Sequence, residues 1–366
     1  MQNQDSLIPF RRFRSWQNTQ HCVEMLEKKG IDNIEAGTGG YSEMTMTTVS
    51  LKVTIIIEGE FVIIDWGDGT EKVEHNGHNS VFQKAFHHTY SYTSAHTIVI
   101  TGKNVTLLHC EGEDRNDDDI IYYCGINLIS LDVSKNTALK ELRCWGNSLT
   151  SLDVSKNTAL TVLNCDDNQL TSLDVSKNKN LKILECSQNQ LTSLNVNKNT
   201  ELEELDCSNN TIKSFDVSKN TALKELYCHL NKLTSLDVSR NTVLKELYCA
   251  ENQLISLNVS KNSALTMFGC GSNQLISLDV SKNALLTILK CEKKQLKGLD
   301  VSKNIALESL CCFENQLTSL DLSKNTVLKE FACHYNQLKI LDVSNNTLLT
   351  KNFYYDKNCI LGTKNI

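Results

Sequence analysis

A tetrapeptide that returns every 21 residues constrains the fold of this chain more than any other feature of its sequence. Leu-Asp-Val-Ser, or a close variant, occurs eleven times without an insertion. A fixed period over many copies is typical of a solenoid, in which each repeat contacts only its neighbours and stacking buries a continuous core. The copies begin at Leu131, Leu152, Leu173, Leu194, Phe215, Leu236, Leu257, Leu278, Leu299, Leu320 and Leu341.

Cysteine and asparagine keep the same period. Ten of the fifteen cysteines fall at one position of the repeat and form what we call the thiol column: Cys144, Cys165, Cys186, Cys207, Cys228, Cys249, Cys270, Cys291, Cys312 and Cys333. An asparagine follows each of them by three residues, except where Lys294 replaces it. Residues that recur in register are expected to occupy equivalent places in successive coils.

One repeat reads Leu139-x-x-Leu142-x-Cys144-x-x-Asn147-x-Leu149. This pattern resembles the leucine-rich repeat. The position of Leu149 is apolar in every copy, which favours a parallel sheet at 140–145 and its equivalents on the concave side, with Leu-Asp-Val-Ser-Lys-Asn on the convex side. Twenty-one residues leave no room for a long convex helix, so that side is expected to be extended or 3₁₀.

The cysteines of the thiol column are expected to face inward. Leu142 and Cys144 are two residues apart, so on a strand their side chains point the same way. A buried cysteine behaves as a small hydrophobic residue. A column also lacks the convergence on one point that a metal ion needs, so no metal site is expected. Outside the column, Cys110 and Cys124 bracket an acidic loop, and a disulfide between them is left open.

The convex positions vary little. Aspartates recur there, and a lysine or arginine follows each of them except Asp342 by three residues, as Lys135 follows Asp132. We interpret this side as structural and solubilising, with the cations compensating the acid column.

The positions that flank each cysteine of the column differ in every repeat, and their side chains are expected to be exposed on the concave sheet. Exposed aromatic residues are typical of binding hot spots. Drift on an unselected surface is the alternative. The candidate ligand-binding residues are Trp145, Asp166, Glu185, Asp206, Tyr227, His229, Tyr248, Phe313 and His334.

Residues upstream of the repeats have β-type composition. Apolar runs begin at Val53, Phe61 and Thr97, and between them lie Trp66-Gly-Asp-Gly and His88-Thr-Tyr. This segment resembles a PKD-type (polycystic-kidney-disease) module, which implies a small β-sandwich before the solenoid. The predicted organisation is a segment 1–40 with a short helix, a sandwich 41–105, a leucine-rich repeat solenoid 106–346 and a C-terminal cap 347–366.

Composition excludes several classes of function. The net charge of −6 argues against a nucleic-acid partner, since such proteins need a basic face. No run of about 18 apolar residues predicts a membrane span, and residues 1–40 contain no secretory apolar segment. We find no catalytic, nucleotide-binding or zinc-protease motif, and therefore expect neither enzymatic activity nor a cofactor.

The predicted function is recognition of a protein or glycan ligand through the concave face. Proteins that combine such repeats with PKD-like modules resemble surface or secreted proteins of Bacteroides-type bacteria. That resemblance implies adhesion or host contact and an extracellular or cell-surface location. The alternatives are a passive spacer or display scaffold on the cell surface, or a scaffold in the cytosol.

Overall fold

A computed structural model describes residues 41–78, 80–110, 126–349, 353–356 and 359–362 of the chain. All of them belong to one compact unit, Gly40–Ile366. The helix predicted within the segment 1–40 lies outside the described residues, as does Cys124.

The first part of the unit is built from seven strands in two antiparallel sheets. Buried and partly exposed residues alternate along them, so that Val53, Ile55 and Ile57 of β2 face the core with Trp66 and Ile98. This alternation fits a sheet with one buried face. The strands are β1 Tyr41–Thr48, β2 Lys52–Gly59, β3 Phe61–Asp65, β4 Val73–Asn76, β5 Phe82–Thr89, β6 His96–Lys103 and β7 Leu107–His109.

Both sheets continue into the repeats. One has the order β4-β3-β6-β1-β8, and β8 (Leu128–Asp132) contains the start of the first Leu-Asp-Val-Ser. In the other, β7 pairs antiparallel with β2 and parallel with the first repeat strand, with Leu108 opposite Leu142. Backbone hydrogen bonds therefore run from the sandwich into the solenoid without a break.

The repeats form ten parallel strands of three residues, each in register with the next at a spacing of 21 residues, so that Leu142 lies beside Leu163. The predicted fold class, a leucine-rich repeat solenoid with a parallel sheet, is confirmed. The strands are β9 Glu141–Arg143, β10 Val162–Asn164, β11 Ile183–Glu185, β12 Glu204–Asp206, β13 Glu225–Tyr227, β14 Glu246–Tyr248, β15 Met267–Gly269, β16 Ile288–Lys290, β17 Ser309–Cys311 and β18 Glu330–Ala332.

The opposite side of each coil is extended chain and turns. In it, Asp153 accepts a hydrogen bond from the backbone N–H of Ser155 at 2.8 Å, and this bond is the main reason that the pKa of Asp153 is lowered. No ion pair joins the convex aspartates to the convex lysines within the described residues. The convex lysines nevertheless lower the pKa of these aspartates through their charge, as Lys156 does for Asp153, which agrees with the predicted compensation. The larger cause is the hydrogen bond by which the carboxylate closes its own turn.

The core is a set of stacked columns in which Leu142, Cys144, Leu149 and Val154 are fully buried. All ten cysteines of the thiol column face inward, with at most 1% of any of them exposed. The inward orientation predicted from the two-residue spacing is confirmed.

Two asparagines satisfy the backbone of each coil. Asn168, three residues after Cys165, donates to the Cys144 carbonyl oxygen at 2.9 Å and accepts from the Leu149 N–H at 3.0 Å. On the convex side, Asn157 is buried and donates to the carbonyl oxygens of Val133 and Asn136, both at 2.8 Å. Each side chain thus ties its own coil to the preceding one.

The last described residues extend the stack. β20 (Phe353–Tyr354) pairs with β18, and the Phe353 ring stacks on Phe331 at 5.6 Å. On the convex side, β19 (Ile340–Asp342) pairs with β21 (Ile360–Gly362). No helix capable of crossing a membrane is found in the described part of the chain.

Candidate recognition surface on the concave sheet

Three side chains of each coil point outward from the concave sheet, and they form three rows along the solenoid. The first row is the first residue of each strand, the second row is the third residue, and the third row is the residue after the cysteine. In the coil of β13 these are Glu225, Tyr227 and His229. The predicted candidates all fall on this surface.

Glu185, Asp206, Tyr227 and Tyr248 belong to the second row. The other five candidates, Trp145, Asp166, His229, Phe313 and His334, belong to the third. None of the nine candidates belongs to the first row, although the two-residue period of a strand links each of its members to the second row.

The expected exposure of the second row is wrong. Glu185 is 4% exposed, Asp206 8%, and Tyr227 and Tyr248 6% each. In a parallel sheet, strands lie about 4.8 Å apart, so each side chain of the middle row is covered by its neighbours along the row and by the two rows beside it. The five third-row candidates are intermediate in exposure.

The N-terminal end of the surface is a charged network. His109 Nε2 lies 2.9 Å from Glu141 Oε1, and Arg143 Nε lies 2.7 Å from the same oxygen. Asn164 donates to Glu185 Oε2 at 2.7 Å. Burial by itself raises the pKa of Glu141, but the hydrogen bond from His109 and the charge of Arg143 outweigh it and lower the pKa to about 2. Arg143 therefore offsets part of the acidic charge at this end.

Acidic and tyrosine side chains meet in the middle of the surface, in what we call the acid–tyrosine cluster: Glu204, Glu225, Glu246, Tyr227 and Tyr248. The three glutamates are adjacent in register in the first row. The Tyr227 hydroxyl donates to Glu225 Oε2 at 3.1 Å and also to Glu246. The two tyrosine rings stack at 5.3 Å, tilted by only 6°.

Glycines at the next coil leave room for side chains of their neighbours. A Cβ on Gly269 would lie 2.5 Å from Cδ1 of Tyr248, and one on Gly271 would lie 2.2 Å from an oxygen of Glu292. Both contacts are shorter than real Cβ atoms show. Tyr248 therefore lies over bare backbone, which explains why so little of its ring is exposed.

The aromatic candidates at the C-terminal end form a second group. Phe313 stacks on His334 at 4.7 Å, His334 meets the edge of Tyr335 at 4.9 Å, and Lys293 Nζ lies 5.7 Å from the Phe313 ring centroid. Three coils separate Phe313 from Tyr248, which is roughly 14 Å at the strand spacing of a sheet. The structure thus divides the predicted aromatic residues into two groups.

The charge of the whole surface is strongly negative. Over ten coils, the three rows carry nine carboxylates and two permanent cations, Arg143 and Lys290. Within the described residues, no three side chains of His, Cys, Asp or Glu are placed to hold a metal ion.

Comparison with known proteins supports the fold. No protein-family model matches the chain, and no curated protein matches it. Among solved structures, the functional domain of InlJ from Listeria monocytogenes, described as including a cysteine ladder, is 36% identical with a TM-score of 0.65 over 70% of this chain. The chain spans 56% of that InlJ chain.

Two further structures are similar at lower identity. A leucine-rich repeat protein of Leptospira interrogans is 22% identical with a TM-score of 0.50, over 64% of this chain and 68% of its own. The plant peptide hormone receptor RGFR1, solved in complex with RGF2, is 22% identical with a TM-score of 0.52, over 63% of this chain and 41% of its own. Together with the repeat geometry, these similarities establish that the solenoid has the leucine-rich repeat fold.

Proposed function

We propose that the chain is a non-enzymatic recognition module that binds a protein through the concave sheet, and that the acid–tyrosine cluster contacts a basic segment of that partner. The observation that carries the proposal is the excess of nine carboxylates over two cations on one face of the solenoid. Complementary charge steers a partner to such a face and suppresses binding of acidic competitors.

The tyrosines hold the acidic side chains of the cluster in a fixed arrangement. Only 6% of each tyrosine is exposed, so the glutamates rather than the rings supply the contact. Tyr227 and Tyr248 are held in place by mutual stacking, and Tyr227 also by its bonds to Glu225 and Glu246. Side chains that are already ordered lose little conformational entropy when a partner binds.

The fold is suited to this role. The plant peptide hormone receptor RGFR1 shares it and is solved in complex with RGF2. We further propose that residues 41–105 form a PKD-like module that covers the N-terminal end of the solenoid 106–346, that residues 347–366 cap the other end, and that the protein acts outside the cell or on a bacterial surface, in adhesion or host contact.

The test is a selection from a random peptide library displayed on phage, with the full chain as bait. We expect the selected peptides to be rich in lysine and arginine. A variant carrying Glu204→Gln, Glu225→Gln and Glu246→Gln should bind them about tenfold more weakly, since each exposed charge pair contributes about 0.2–1 kcal/mol. Glutamine still accepts the Tyr227 hydrogen bond, so the fold should be unchanged.

The matched control removes the same charge elsewhere, with Glu201→Gln, Glu251→Gln and Glu314→Gln, all exposed residues outside the three rows. If both triple variants bind the selected peptides equally well, the proposal that the acid–tyrosine cluster binds them is contradicted. If no peptide is enriched, recognition of a basic segment by this surface is contradicted. Capture on a glycan array in that case would favour a carbohydrate ligand, and no capture would favour the spacer.

A further inference from the structure

An asparagine follows each cysteine of the thiol column by three residues, except after Cys291, where Lys294 replaces it. This replacement creates an unusual pair inside the core. Elsewhere, as at Asn252, the amide donates to the carbonyl oxygens of Cys228 and Cys249 at 3.0 and 3.1 Å. At the interrupted position, Lys294 Nζ donates instead to Cys270 Sγ, at 2.8 Å. A lysine amine thus lies against one sulfur of the thiol column.

Both groups are buried. Cys270 is fully buried, and Lys294 is 6% exposed. No carboxylate pairs with this amine among the described residues, and its polar contact is the hydrogen bond to the Cys270 sulfur. Burial raises the pKa of Cys270, and the charge of Lys294 opposes that increase. Cys165, which has no such neighbour, has a pKa raised well above its ordinary value by burial.

The backbone around Cys270 has two features that favour local movement. Gly269 and Gly271 flank the cysteine, and no other cysteine of the thiol column has glycine on both sides. Glycine lowers the cost of local backbone movement. The missing asparagine also leaves the Leu275 N–H without the acceptor that Asn273 provides for Leu254 at 3.0 Å. Local opening should therefore be easiest here, which admits a small oxidant.

We propose that Cys270 and Lys294 form an oxidation-dependent covalent link, a sulfenamide between Sγ and Nζ. Hydrogen peroxide first oxidises the thiol: Cys–SH + H₂O₂ gives Cys–SOH + H₂O, with sulfur losing two electrons and the peroxide gaining them. The amine lone pair then attacks sulfur, the S–O bond breaks, and Cys–SOH + Lys–NH₂ gives Cys–S–NH–Lys + H₂O.

The pair is arranged for the second step. Burial by itself lowers the pKa of Lys294, and the charge of Cys270, when its thiol is ionised, raises it. Sulfenic acid is neutral, so its formation removes that stabilisation, and burial then favours the uncharged amine. The uncharged amine of Lys294, which is the nucleophile, then lies next to the electrophilic sulfur of Cys270. Backbone nitrogens trap cysteine sulfenic acids in the same way, and a thiol reductant should reverse the link.

The experiment treats the reduced, full-length protein with hydrogen peroxide and maps the products by peptide mass spectrometry. We expect a joined Cys270–Lys294 peptide that is two hydrogens lighter than its two parts and that disappears on reduction. Oxidation of Cys270 should exceed that of Cys228, the matched cysteine beside an intact asparagine, by about tenfold, because the ammonium increases the thiolate population.

Two variants separate the amine's charge from its nucleophilicity. Lys294→Asn should lose both the link and the excess oxidation of Cys270. Lys294→Arg keeps a cation without a comparable nucleophile, so it should retain the excess oxidation and lose only the link. Circular dichroism checks that both variants fold. The proposal is overturned if the wild-type protein gives no joined peptide, or if Cys270 is oxidised no more than Cys228.

Discussion

The second residue after each cysteine of the thiol column has a left-handed backbone. Its φ lies between 49° and 57° from Gln188 to Tyr335, and Gly146 is the glycine of the series at 69°. Side chains of the L series pay roughly 1–2 kcal/mol for this conformation. The coil imposes it because the chain must leave the strand and reach the inward asparagine within two residues. Each non-glycine residue at this position therefore carries a small conformational cost.

We predict that Leu230→Asn stabilises the protein. Leu230 has φ of 54° and is 40% exposed, so little packing is lost, and asparagine tolerates the left-handed region better than leucine. The expected gain is about 0.5–1 kcal/mol in the free energy of unfolding, measured by urea denaturation. Gly146→Ala is the opposite control and should destabilise; no change in either variant would contradict the backbone argument.

Lys294→Asn should also stabilise the reduced protein. Asparagine would restore an acceptor for the Leu275 N–H and a donor to the cysteine carbonyls, as Asn252 does in its own coil. Making a hydrogen bond to a buried unsatisfied group is worth about 1–3 kcal/mol. Thermal unfolding measures the effect. Asn252→Lys in an intact coil should lower Tm, and a Tm unchanged by either substitution would contradict the role given to these asparagines.

At the scale of elements, the strands are too short to hold together by themselves. Each repeat strand has three residues, and the asparagines on both sides of the coil supply the remaining ties between coils. The first coil is tied in another way, because β9 pairs with β7 of the sandwich. The Glu141 network reinforces this junction with a hydrogen bond from His109.

Glu141 should make stability depend on pH in the acid range. Its pKa in the folded protein, about 2, lies below the ordinary value of 4.5. Its contribution is therefore fully present above pH 4.5 and is lost as pH falls toward 2. The Tm difference between the wild-type protein and Glu141→Gln should shrink over this range. Glu201→Gln, at an exposed glutamate, is the control; a difference independent of pH would contradict the assignment.

Gly269→Ala should displace the Tyr248 ring. The added Cβ would meet the ring at 2.5 Å, and inserting a methyl group into a filled space typically costs about 1–3 kcal/mol. We expect a lower Tm and a changed near-ultraviolet circular dichroism signal from the stacked tyrosines. Gly298→Ala, where a Cβ meets no atom within 4 Å, should change neither, and equal effects of the two substitutions would argue against the contact.

The whole molecule depends on stacking, because one coil cannot stand alone. A coil buries about six side chains, worth about 1.5–3 kcal/mol each, whereas ordering 21 residues costs about 1.5 kcal/mol per residue. Neighbouring coils must make up the difference. The same stacking aligns like residues into rows, and this alignment concentrates the acidic residues on one face.

Sequence periodicity predicted the coils, their register and the inward cysteines, since Cys144 repeats in every coil and the position of Leu142 is always leucine or phenylalanine. It did not predict that Tyr227 and Tyr248 would be buried, because that depends on the lateral cover of three adjacent rows. It also did not predict the continuous sheet through β7 and β9, because these two strands are distant in sequence and belong to segments of different pattern. The interruption at Lys294 was visible in the sequence, but its contact with Cys270 requires the path of the side chain.

Native-state labelling with a bulky maleimide, read by mass spectrometry, tests most directly whether the coil turns its cysteines inward and its variable neighbours outward. We predict that all ten cysteines of the thiol column stay unlabelled in the folded protein and react once guanidinium chloride unfolds it. A cysteine placed at Val243, which is 44% exposed, should be labelled under both conditions. Labelling of the column in native buffer at the rate of that control would contradict the fold and every assignment made from it.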